Sequence, residues 1–199
     1  VDVTDDDAAT FEFGIVTAHD VGDGHQFARD AATVVLVSAN APDALSDCPF
    51  DVLLLQRSND LVFAPGAWVF PGGAASDEDR IGDTDRVSMR SVACRECSEE
   101  TGIVVDSDAL SPVARRLTPP ERVRRYDTRF YLTTVEPSPR RPQVVVDGIE
   151  IMAFEWIGPA AGLSQHGDTM LPPTIAMLST LAGFSSLEQL LTWAREQTP

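Results

Sequence analysis

The stretch Arg95-Glu96-Cys97-Ser98-Glu99-Glu100-Thr101-Gly102-Ile103 places three carboxylates within five positions and ends on a glycine. It predicts the last turns of a helix that stops at Gly102, the residue type that most easily takes the left-handed conformation closing a helix. At about 100° per residue, with Arg95 at 0°, Glu99 falls near 40°, Glu96 near 100° and Glu100 near 140°. Like charges at such spacing repel, at a cost of a few tenths of a kcal/mol per exposed pair. A chain that keeps them together implies a compensating cation. Hard divalent ions such as Mg²⁺ meet that description, binding through one or two carboxylates plus waters and substrate phosphates.

Charge enters the argument next. The 199 residues carry 31 acids against 15 cations, a formal net charge of −16, and every cation is arginine. Such acidity argues against a broad nucleic-acid or anionic-membrane surface. Eight of the fifteen arginines nevertheless fall between Arg115 and Arg141, a concentration suited to steering a polyanionic small molecule. No apolar run approaches the length of a membrane span. The first residues lack the pattern of a signal peptide and the last three are no peroxisomal address, so a cytoplasmic protein is expected. Three cysteines make no disulfide framework. Cys94 and Cys97 point near 260° and 200° on the helix, away from the carboxylates, and are expected in the core.

The length suits one domain, residues 1–199. An acidic segment, 1–30, precedes the ordered fold, with Phe11 to Val16 as a possible edge strand. Strands are expected at Ala31–Val37, Asp51–Arg57, Ala67–Phe70, Ile103–Val105, Tyr126–Val135 and Glu150–Ile157, from β-branched runs or alternation. Gly158-Pro159 reads as a terminator. Residues 172–197 should hold two closing helices, about Pro173–Leu181 and Ser186–Glu196, the second capped by Ser185 or Ser186. Its apolar face would pack on the domain or on a second subunit, so a homodimer is possible. The acidic insertion Ser76–Arg86 reads as a loop, with the carboxylate helix starting near Asp85.

With Phe70-Pro71-Gly72-Gly73 upstream, the whole reads Gly73-x5-Asp79-x15-Arg95-Glu96-Cys97-x-Glu99-Glu100-x-Gly102-Ile103. This resembles the Nudix box, the loop–helix–loop signature of hydrolases that cleave nucleoside diphosphates linked to another group. The box spans 73–103 here. It departs from the family pattern in Asp79 for Glu, eight extra residues before Arg95, and Cys97 for an aliphatic residue. The resemblance implies an α/β fold, the Nudix-type α/β/α sandwich with a mixed sheet, carrying additional C-terminal helices. It also implies Mg²⁺ or Mn²⁺ held by Glu96, Glu99 and Glu100, with the Gly73 carbonyl reaching the metal. Arg95 is implied to orient the carboxylates, making Arg95, Glu96, Glu99 and Glu100 the catalytic set.

A narrower resemblance lies in Leu53-Leu54-Leu55-Gln56-Arg57-Ser58 followed by Phe63-x-Pro65-Gly66-x-Trp68-Val69-Phe70-Pro71-Gly72-Gly73, which is similar to the coenzyme A and acyl-CoA diphosphatases of that family. A second arginine of that signature would fall at Val62. Arg124 to Phe130 resembles the same branch. Arg57, Phe70 and Arg129 are the implied substrate-binding residues, Arg57 through bidentate phosphate recognition, for instance of the 3′-phosphate of coenzyme A. Glu150 is a candidate for a further metal or base contact. The expected reaction is divalent-metal-dependent cleavage of coenzyme A or an acyl-CoA to 3′,5′-ADP and a 4′-phosphopantetheine product. ADP-ribose, NADH or another nucleotide is the alternative substrate, and a non-catalytic nucleotide-binding regulator the alternative class.

Overall fold

The computed structural model describes residues 28–40, 48–79, 88–122, 124–135 and 141–198. Its centre is β1 (Arg29–Ala39), whose apolar run is buried on both faces, as expected of a strand inside a layered sheet. It pairs in parallel with β6 (Tyr126–Thr134), which pairs antiparallel with β5 (Ser111–Leu117). On its other side β1 changes partner along its length. Near its C-terminal end it meets β2 (Phe50–Arg57), through Val37↔Val52. Near its start it meets β4 (Gly72–Ala74), through Thr33↔Gly72, Ala32↔Gly73 and Ala31↔Ala74. β2 carries β3 (Trp68–Val69) and, from Val52 to Arg57, β7 (Ile151–Ile157). This change of partner opens the sheet beside Gly72 and Gly73, and the functional cavity lies there.

Helix α1 (Met89–Thr101) covers one face. Val92, Ala93 and Cys97 pack on Ala32, Val34, Leu36, Leu53 and Leu55. Helices α2 (Pro159–His166), α3 (Pro172–Leu181) and α4 (Leu187–Glu196) follow β7. Met177, Leu178, Leu181, Leu190 and Ala194 of the last two cover the opposite face over Val35, Val37, Val52, Leu54 and Phe130. The arrangement is the α/β/α sandwich with a mixed sheet that the motif implied. Burial of Cys97 and partial burial of Cys94 agree with their expected core placement. Ser186 caps α4 by accepting from the Gln189 N–H.

Three expectations change. Helix α1 begins at Met89 behind an N-cap at Ser88, whose hydroxyl accepts from the Ser91 N–H, and not near Asp85. Ile103–Val105 forms no strand: Gly102 turns left-handed at φ +70°, sending Ile103 into the core and leaving Val104 exposed. Gly158-Pro159 ends β7 after Ile157 as expected, and it also opens α2, a helix that was not expected, because proline is well suited to the first helical position. Strand β5 was not foreseen; it carries Pro112 and a register shift between Pro112 and Ala114 that hide its alternation. Phe11–Val16 lies outside the described residues.

Candidate active site

The carboxylate helix is fixed by its first residue of interest, Arg95. Its Nε and Nη2 donate to Asp79 Oδ1 and Oδ2 at 3.2 and 2.8 Å, a fork-to-fork pair. Nη2 also donates to the Ala74 carbonyl, and Nη1 to Glu96 Oε1 and Glu99 Oε2, each at 2.9 Å. One guanidinium therefore joins β4, the turn Asp77–Asp79 and helix α1. The hydrogen bonds to Asp79 hold the Arg95 pKa above its ordinary value. Asp79 is buried, which alone would raise its pKa. The Arg95 fork and the N–H and hydroxyl of Ser76 outweigh that and hold it below the ordinary value. Asp79 thus reaches Arg95 across the lengthened box.

The three glutamates divide. Glu100 Oε2 accepts from the Gly72 N–H at 2.8 Å. Burial pushes its carboxyl up to about 8; the Gly72 N–H and Arg57 oppose the rise, while Glu96 and Glu150 add repulsion. Burial also raises Glu96, against the pull of Arg95. Glu96 lies so close to Gly73 that a Cβ there would stand 2.5 Å from its carboxylate. Glycine at 73 is a steric requirement of the carboxylate beside it. Glu99 differs from both: its side chain is 57% exposed and engaged by Arg95 at the rim.

Glu96, Glu100, Gly72 and Gly73 line one end of a cavity of about 640 Å³. Arg57, Phe70 and Glu150 line it too, so all three come together with the box, whereas Glu99 does not line it. Arg57 Nε is buried with no hydrogen-bond partner. Arg129 is not brought to the cavity. Strand alternation turns Tyr126, Thr128 and Phe130 toward it and Arg129 to the other face, where it bonds Tyr131. Arg29, Arg116, Arg122 and Arg124 also line the cavity, and the sequence reading had singled out none of them individually. Their signal was the arginine concentration itself, which alternation along β5 could have sorted: Arg116 faces the cavity, while Arg115 faces away and pairs with Asp127. The far wall, Leu171 to Thr174, follows a segment anchored by the stack of His166 on Trp68 at 4.2 Å.

The donors suit a hard divalent cation: two half-buried carboxylates whose repulsion and desolvation an ion would relieve. Among the described residues no three acidic, histidine or cysteine side chains are arranged to hold an ion unaided. An ion here would complete its shell with water and substrate oxygens, the usual habit of Mg²⁺. No helix among the described residues is long and apolar enough to cross a membrane.

Comparison with known proteins agrees with this geometry. Residues 28–94 match the family model described as the NUDT19 Nudix domain. The chain is 26% identical to the acyl-coenzyme A diphosphatase NUDT19 of Gallus gallus over 266 aligned positions, covering 81% of this chain and 70% of that protein. Among solved structures, a Nudix hydrolase from Alicyclobacillus acidocaldarius superposes with TM-score 0.68 at 23% identity, over 83% of this chain and 96% of that one. The Nudix domain of Shewanella oneidensis NrtR, solved with ADP ribose, superposes at 0.55 with 18% identity, over 82% and 88%. At these identities the solved structures speak for the fold alone. Motif, fold and family match point the same way: residues 28–94 are similar to a Nudix domain, and the chain as a whole resembles the Nudix hydrolases in fold.

Proposed function

We propose that the protein hydrolyses the diphosphate linkage of coenzyme A or an acyl-CoA, releasing 3′,5′-ADP and a 4′-phosphopantetheine product, with Mg²⁺ or Mn²⁺. The observation carrying this reading is the cavity end lined by the half-buried Glu96 and Glu100 and by Arg57, whose Nε lacks a partner among the described residues. An unsatisfied buried N–H costs free energy, and a phosphate oxygen would satisfy it. The similarity to the Gallus gallus acyl-CoA diphosphatase supports the choice of substrate. Val62, where that resemblance leads one to look for a second arginine, is 84% exposed and outside the cavity lining, so its apolar side chain leaves no gap in the pocket wall.

A bound divalent ion supplies neutralisation of the diphosphate oxygens and acidifies an attacking water. Glu96 and Glu100, with the backbone at Gly73, would hold it, and Glu99 supports them from the rim. Arg95 fixes the spacing of Glu96 and Glu99 through its shared Nη1. Arg57 orients the substrate phosphate, and Phe70 offers an apolar wall. A carboxylate lining the cavity, Glu96, Glu100 or Glu150, takes the proton from the attacking water in this reading.

The test is product analysis with Mg²⁺ or Mn²⁺ on coenzyme A, an acyl-CoA, ADP-ribose, NADH and a nucleoside triphosphate, beside Glu100→Gln. Release of 3′,5′-ADP that disappears in the variant is the expected result. Preference for ADP-ribose or NADH would keep the mechanism and reject the substrate.

A further inference from the structure

The cavity is charged at both ends. Glu96 and Glu100 approach it from beneath β4, while Arg116 on β5 and Arg122 and Arg124 on the β5–β6 connection line the opposite end. Among the described lining residues five arginines stand against three glutamates, Glu96, Glu100 and Glu150, in a chain whose net charge is −16. The ladder register gives the separation. Arg116 lies opposite Thr128, Thr128 opposite Ala31, and Ala31 opposite Ala74, one residue beyond Gly73. Three strand spacings therefore divide Arg116 from the Glu96 end, roughly 14 Å between backbones. Side chains reaching inward from both ends leave a gap suited to one nucleoside.

Arg57 sits at the glutamate end, since it acts electrostatically on Glu100. At that end it would meet the scissile diphosphate of the proposed substrate and not a phosphate at the far end of the cavity. Arg116 is half-buried and donates to the Arg115 carbonyl, and no carboxylate among the described residues pairs with it. Holding a cation there without a counter-charge is unfavourable unless a ligand supplies one. Two aromatic rings of the lining, Phe63 and Tyr126, stand 5.6 Å apart close by, offering a face to a base.

We propose that Arg116 and Arg124 form a second anion subsite that receives a phosphate monoester carried on the substrate's ribose, so that the protein selects nucleoside diphosphate derivatives bearing that extra phosphate. This rests on the hydrolase reading for its consequence in turnover, though not for the binding itself. A guanidinium fork matches phosphate oxygens bidentately, which a carboxylate-lined pocket cannot do.

The experiment separates the two readings. Calorimetric titration of the metal-free protein with 3′,5′-ADP and with 5′-AMP measures the subsite without chemistry. The wild type should bind 3′,5′-ADP about 10–100-fold more tightly than AMP, the range of a charge-assisted contact. Arg116→Gln and Arg124→Gln, the second at an exposed position, should each shrink that ratio by weakening 3′,5′-ADP far more than AMP. Parallel kcat/KM values for coenzyme A and its 3′-dephospho form should show the same preference. Equal affinity of the wild type for the two nucleotides, or an equal loss for both in the variants, would overturn the subsite. A preserved binding ratio without cleavage of either substrate would support the subsite while rejecting the hydrolase reading.

Discussion

Burial separates residues that the motif treats alike. Glu100 is enclosed and bonded to Gly72, whereas Glu99 is mostly exposed and faces Arg95 at the rim. Glu100→Gln should therefore lower kcat by about 10²–10⁴-fold, the usual contribution of a positioned carboxylate, while Glu99→Gln costs about tenfold or less. Steady-state kinetics on the preferred substrate decides it; equal losses would place Glu99 inside the working site. The two glycines offer a sharper contrast. A Cβ on Gly73 would meet only the mobile end of Glu96, so Gly73→Ala should displace that carboxylate and reduce kcat by about 100-fold with nearly unchanged Tm. A Cβ on Gly72 would fall 2.4 Å from the Ala32 carbonyl oxygen, at φ +156°, and nothing there can give way. Gly72→Ala should lose stability before it loses anything specific, by about 1–3 kcal/mol in denaturant titration.

Elements are held to one another by the Asp79–Arg95 pair, which secures the acidic turn to α1 across the lengthened box. Asp79→Asn should destabilise the protein by about 1–3 kcal/mol. Because the folded-state pKa of Asp79 is depressed, its contribution is complete above the ordinary carboxylate value and disappears as pH falls through the folded one. The stability difference between wild type and Asp79→Asn should be full at pH 6 and shrink toward pH 2. A difference independent of pH would mean the pair does not titrate as the geometry requires. At this scale the sequence was legible wherever a strong local pattern coincided with burial. Ala31–Val37 and Asp51–Arg57 announced themselves by their apolar runs, and Gly102 marked the end of α1. Other elements depend on partners distant in sequence. Gly72–Ala74 has almost no strand propensity and pairs because β1 lies beside it. The apolar run Ile103–Val105 is diverted by the left-handed turn before it. The box motif located Glu96, Glu100 and Arg95, yet whether Glu99 faced the cavity or the rim depended on the burial of its neighbours. Arg129 was misplaced for a simpler reason: it belongs to the odd face of a strand whose even face lines the cavity.

The whole molecule sets a mainly negative field around a cavity lined by arginines and carboxylates. With a net charge of −16, self-repulsion opposes the compact state and added salt screens it. Raising NaCl from 10 to 300 mM should therefore raise Tm by a few degrees, since about 1 kcal/mol corresponds to roughly 2–4 °C for a chain of this size. Screening alone does not distinguish one cation from another. A site formed by Glu96 and Glu100 does, because an ion bound only by the folded state adds stability by mass action, about 2.7 kcal/mol at one hundred times its Kd. MgCl₂ or MnCl₂ at ionic strength matched to NaCl should thus give an additional rise in Tm for the wild type. In Glu100→Gln that increment should vanish while the response to NaCl persists. If both salts raise Tm equally in the wild type, the acidic chain responds to ionic strength alone, and Glu96 and Glu100 do not hold a divalent ion.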